Sequence, residues 1–98
     1  MTSIDPGTRP VLYSGIDSSL ADFRDRTGLL RTEVRRVTSL RQLRGYKDVI
    51  WFIDHGYEWL LKDQEAMYYA RTHNIAVYRV NVQTLWLFRE YVNREEAL

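Results

Sequence analysis

The sequence predicts an α/β fold, a three-layer sandwich on a four-stranded parallel sheet in the order 2-1-3-4, and three observations carry that prediction. The run Val49-Ile50-Trp51-Phe52-Ile53, flanked by Asp48 and Asp54 and stopped by Gly56, is continuously apolar, as a central strand covered on both faces must be. Strand-type runs alternate with helix-type segments along the whole chain, and that alternation implies parallel strands joined by crossover helices. Gly15, Gly28, Gly45 and Gly56 punctuate the changes from one element to the next.

Residues 1–9, rich in Ser, Asp, Pro, Gly and Thr, read as a flexible lead-in, residues 10–94 as one α/β domain and residues 95–98 as a frayed end. The first strand is expected over 10–16, with Pro10 tolerated at its start. Asp17, Ser18 and Ser19 are N-cap candidates for a helix over 19–27 that turns Leu20 and Phe23 inward and ends at Gly28. Residues 30–37 read as a second strand whose Arg31, Glu33, Arg35 and Arg36 mark a charged sheet edge. Thr38 or Ser39 caps a short helix with Leu40 and Leu43 three apart, closed by Gly45.

After the central strand, residues 57–72 read as the longest helix, with Trp59, Leu60, Ala66, Met67, Tyr69 and Ala70 on its apolar side. Residues 75–80 form the fourth strand, 81–84 a turn and 85–94 a last helix. The order 2-1-3-4 places the first and last helices on one face of the sheet and the second and third on the other. It also opens a crevice between Gly15 and Asp54, at the carboxyl ends of the first and third strands.

Composition narrows the function classes. The 98 residues suffice for one domain, and 45% hydrophobic with 28% charged residues is an ordinary globular balance. The absence of cysteine removes disulfides, thiolate nucleophiles and cysteine-bound zinc. Apolar runs of about five residues fall far short of the roughly 20 that span a bilayer, and no basic segment followed by a long apolar stretch opens the chain. A cytoplasmic protein without membrane contact is the expectation.

The net charge of +1 conceals a local +5 over residues 20–47 and −4 over residues 48–70. Arg31, Arg35, Arg36, Arg41 and Arg44 define a possible nucleic-acid surface, but Arg spread over several elements is ordinarily a solvated surface, so nucleic acid ranks behind a protein partner. Twelve Arg against two Lys is also what a GC-rich genome produces.

Two groups of residues are candidates for function. At the crevice, Gly15, Asp17, Ser18 and Ser19 offer a weak anion-binding turn, lacking G-x-G-x-x-G and the lysine of a P-loop. Asp54 and His55 supply a carboxylate and an imidazole for acid–base work there. His55 and His73 lack the local spacing of a zinc pair, so no metal and no cofactor is expected. At the far edge, the fourth strand has no fifth strand to cover it, and the last helix spreads Leu85, Trp86, Leu87, Phe88, Tyr91 and Val92 over more than one face. Tyr78, Trp86 and Tyr91 are the expected contacts of a protein interface or homodimer.

The pattern resembles small flavodoxin-like and Rossmann-like α/β proteins. Asp54 closing Val49-Ile50-Trp51-Phe52-Ile53 is similar to the phospho-accepting aspartate of response-regulator receivers, although Ser14-Gly15-Ile16 stands where receivers place an acidic pair. Glu65-Ala66-Met67-Tyr68-Tyr69-Ala70 before Ile75-Ala76-Val77 is similar in outline to nucleoside 2-deoxyribosyltransferases. That resemblance implies Glu65 as nucleophile and Asp54 as a substrate-binding acid. Size and Arg-rich composition resemble small accessory proteins of actinobacterial phages. The reading is a non-catalytic protein-binding or regulatory module acting through the edge strand and aromatic last helix. The alternative is a nucleotide- or nucleoside-handling enzyme or sensor at the crevice.

Overall fold

Residue alternation within the strands divides the core into two layers, one on each face of the sheet. The computed structural model describes residues 10–81 and 83–86. The lead-in over 1–9, the last helix beyond residue 86, Tyr91 and the end at 95–98 lie outside the described residues. The strands are β1 (Val11–Ser14), β2 (Val34–Arg36), β3 (Ile50–Ile53) and β4 (Ala76–Arg79), and the helices α1 (Asp17–Thr27), α2 (Leu40–Leu43) and α3 (Gln64–Thr72). All pairings are parallel and the order is β2-β1-β3-β4, as the sequence predicts.

Period-two alternation sends Val11, Tyr13 and Phe52 toward α1, where Phe23 and Leu29 meet them, together with Leu85 from the helical turn at 83–86. Leu12, Trp51 and Ile53 point the other way, into a layer closed by Leu43 of α2, Leu60, and Ala66 and Ala70 of α3. Both faces of β1 and β3 are therefore dry, which is why the central strand is apolar throughout. Burying a large aliphatic or aromatic side chain contributes about 1.5–3 kcal/mol. Ala66 and Ala70, four apart, bring the α3 backbone close to the sheet.

Helix ends follow local chemistry. At Gly28 the backbone takes φ 76°, and its N–H donates to the Arg24 carbonyl at 2.9 Å, closing α1 in a conformation that a Cβ disfavours. At the amino ends of β3 and β4, Asn74 Nδ2 donates to Asp48 Oδ1 at 2.9 Å, tying the entrances of the two strands together.

Three local expectations are corrected. The expected helix over 57–72 is two elements, a 3₁₀ segment (Glu58–Lys62) and α3, because Asp63 leaves the helical conformation and its carboxylate accepts the Ala66 N–H at 3.1 Å. An aspartate that bonds the backbone in this way starts a helix more readily than it continues one. The change of pitch also takes Trp59 off the apolar face, leaving it half exposed. The expected strand over 30–37 begins with a 3₁₀ turn (Arg31–Glu33), since the Glu33 carboxylate accepts the Leu30 N–H at 2.7 Å, and only Val34–Arg36 pairs with β1. Finally, α1 is capped by Ile16, not by a side-chain oxygen; Asp17 lies inside the helix and pairs with Arg36.

Asp63→Ala is expected to lower stability by about 1 kcal/mol, and Asp63→Asn, which keeps the accepting oxygen, by much less. Urea denaturation of the three proteins measures the difference.

Candidate functional site

The crevice between the carboxyl ends of β1 and β3 is built from the last turn of each strand and the first turn of α1. Tyr13 leaves β1 on the α1 side, lies against Phe23 with ring centroids 4.7 Å apart, and its hydroxyl donates to Asp54 Oδ2. The other Asp54 oxygen accepts the His55 N–H at 2.7 Å, while the Asp54 N–H donates to the Ser14 carbonyl at 2.7 Å. Asp54 is thus held by its own backbone as an extension of the β1–β3 ladder, with its carboxylate turned onto a buried phenol.

Burial pushes the Tyr13 phenol far above its ordinary value of 10.0, and the hydrogen bond to Asp54 and that carboxylate's charge push it further. Ser19, hydrogen-bonded to the same phenol, and the charge of Arg36 act in the opposite direction. A general acid or base works best with a pKa near the operating pH, so this phenol serves as a fixed neutral donor.

Gly15 covers the pair. A Cβ at this position would lie 2.6 Å from Tyr13 Cζ, and the ring, wedged against Phe23 and anchored on Asp54, has nowhere to go. Glycine is required here for close approach. Its carbonyl accepts Arg36 Nε at 3.0 Å, and Arg36 Nη1 pairs with the exposed Asp17 carboxylate.

The structure brings Gly15, Asp17, Ser19 and Asp54 to one crevice mouth, with Ser18 exposed beside them. Asp17 places a carboxylate where an anion would meet the first turn of α1, and Ser14 is buried and engaged on both sides of its hydroxyl. His55 is exposed next to the crevice, its Nδ1 3.8 Å from Glu58 Oε2. Sequence reasoning missed Glu58, which accepts the Gly56 N–H at 2.6 Å. That bond, then its own backbone N–H, and more weakly the charges of His55 and Arg79, hold its carboxyl below the ordinary range. An acid two residues after a turn glycine was the available signal.

Glu65 is elsewhere. It lines a shallow groove of about 500 Å3 along α3 with Leu61, Asp63, Met67, Tyr68 and Arg71, and Asp54 is not part of that lining. Among the described residues no three His, Asp or Glu side chains are placed to share a metal ion. No helix among them is long and apolar enough to cross a membrane. Of the five arginines considered for nucleic acid, Arg36 is tied to Gly15 and Asp17, and Arg35 donates to the Thr32 carbonyl at 3.2 Å.

The β4 edge is the second candidate surface. Ala76, Tyr78 and Arg79 are exposed, Tyr78 by 46%, although its ring centroid is 5.8 Å from that of Phe52. Trp86 is 64% exposed.

Gly15→Ala is expected to cost about 1–3 kcal/mol, the range for forcing atoms into a packed site, read from denaturant midpoints. The folded state holds the Tyr13 proton more tightly than the unfolded chain. Its contribution is therefore fully present below about pH 10 and lost above it, at up to about 1.4 kcal/mol per pH unit. Tyr13→Phe is expected to flatten that alkaline decline in urea midpoints. Comparison with protein-family models, with curated proteins and with solved structures finds no match for this chain.

Proposed function

We propose that the chain is a non-catalytic protein-interaction module that receives an extended polypeptide segment at β4. Its effect is regulatory, as in the small accessory proteins its composition resembles. The observation that carries this reading is the backbone of β4. Ala76 N–H donates to the Val49 carbonyl at 3.0 Å and Val80 N–H to the Ile53 carbonyl at 2.8 Å, so the even-numbered residues face β3. In a parallel ladder the residues between them direct both N–H and C=O outward. Those of Val77 have no partner among the described residues, and such an edge is a template for strand addition.

Exposed Tyr78, on the strand itself, and Trp86 supply the aromatic anchors that interfaces favour. The crevice supports this assignment from the other side, because Tyr13 and Asp54 are bonded to each other and Asp17 to Arg36. Binding at the edge would leave Tyr13 and Asp54 untouched.

The test is a photo-cross-linking amino acid at Tyr78, with one at Leu30, exposed on another surface, as control. Irradiation is expected to give polypeptide adducts at residue 78 several-fold above the control. Val77→Pro, which removes an outward N–H without touching the β3 ladder, is expected to abolish them, and Asp54→Asn to leave them intact. Adducts at control level, or adducts that survive Val77→Pro, overturn the reading.

A further inference from the structure

We infer that the segment received at β4 is β4 of a second copy of this chain, antiparallel, with Val77 of each copy on the two-fold axis. The inference rests on the reading of β4 as a strand acceptor. It follows from which edge groups are already used.

The outward residues are 75, 77 and 79. Ile75 N–H donates to the Ala70 carbonyl at 2.8 Å, and the Arg79 carbonyl accepts the Thr84 hydroxyl at 2.7 Å. Among the described residues this leaves the Ile75 carbonyl, both groups of Val77 and the Arg79 N–H without a partner. In an antiparallel pair centred on Val77, the two Val77 residues exchange both bonds, and each Arg79 N–H meets the partner copy's Ile75 carbonyl. The one bond of each outer pair that this register leaves unmade is Ile75 N–H to Arg79 carbonyl. Those two groups are the ones already satisfied within each copy. The open set is therefore its own complement under a two-fold rotation.

Side chains fit the same register. Ala76 stands opposite Tyr78 of the other copy in a non-hydrogen-bonded pair, where side chains approach most closely, so the exposed ring covers a methyl group. Arg79 stands opposite Ile75, and no like charges face each other. Shifting the dyad to Arg79 would oppose two guanidinium groups.

The α3 flank extends the surface. Tyr69, on one flank of α3, accepts the Gly45 N–H at 2.9 Å and so faces the α2 side. By helical geometry Met67 and Arg71 lie on the opposite flank, toward the β4 edge, and both line the groove of about 500 Å3. A two-fold axis normal to the sheet brings the two α3 flanks together antiparallel. The acids at the amino end of one helix, Asp63 and Glu65, then approach Arg71 at the carboxyl end of the other.

The test is light scattering coupled to size-exclusion chromatography on the full chain over a range of concentrations, with register read by chemistry. The chain has no cysteine, so single cysteines report cleanly. The mass is expected to double for the wild type and to stay single for Val77→Pro. A short bifunctional thiol reagent is expected to join Val77→Cys to itself. Arg79→Cys should remain unjoined, because its two copies are about 14 Å apart at 3.4 Å per residue. Joining at 79 and not at 77 overturns the register. A wild type that stays monomeric while Tyr78 still captures a different polypeptide overturns the second copy and leaves strand acceptance standing. A monomer that captures nothing overturns both.

Discussion

The Ser14 hydroxyl is the contact on which the sheet's arrangement depends. It lies fully buried at the end of β1, donates to the Val37 carbonyl just beyond β2, and accepts the Trp51 indole N–H of β3 at 2.8 Å. One small side chain thus joins three strands. Left without a partner, a buried indole N–H would cost about 1–3 kcal/mol, so the serine is what allows a tryptophan at the centre of the sheet. The backbone continues the same clamp, with Val37 N–H on the Tyr13 carbonyl at 2.8 Å and Asp54 N–H on the Ser14 carbonyl at 2.7 Å. With Trp51 fixed, the layer beneath α2 and α3 has its largest member in place, and Leu43, Leu60, Ala66 and Ala70 pack around it.

The same clamp shapes the crevice. Asp54 is drawn into the ladder, where it meets Tyr13, and Gly15 is drawn over the phenol until no room remains for a Cβ. An α/β sheet of this order offers its switch point to ligands, but here the polar groups of that position hold the strands and the first turn of α1 together. Among the described residues, β4, the strand farthest from the clamp, keeps the outward backbone groups of Val77 without a partner. It is covered on one side by β3 and bears exposed Tyr78.

The sequence errors were local, and each has a side-chain oxygen behind it. Asp63 and Glu33 capture backbone N–H groups and break runs that hydrophobic spacing alone reads as continuous. Asp17 looked like a cap by type, yet Arg36 of β2 lies near enough to pair with it, and that proximity is a product of strand order. Tyr13 gave no sign of its role at all. It reads as one more apolar residue of β1, and Asp54 is 41 residues away in the chain.

The sequence by itself determined the parallel sheet, its order and the two faces. Those follow from apolar runs, their alternation with helices and the glycines between them, all of which are properties of neighbouring residues. Only the tertiary structure decided that the Tyr13 hydroxyl would donate to Asp54, that Ser14 would carry Trp51, and that Ile75 N–H and the Arg79 carbonyl would be satisfied while the backbone groups of Val77 have no partner among the described residues. Hydrogen bonds depend on where distant groups come to rest once the chain has packed, and no local pattern of residue types encodes that position.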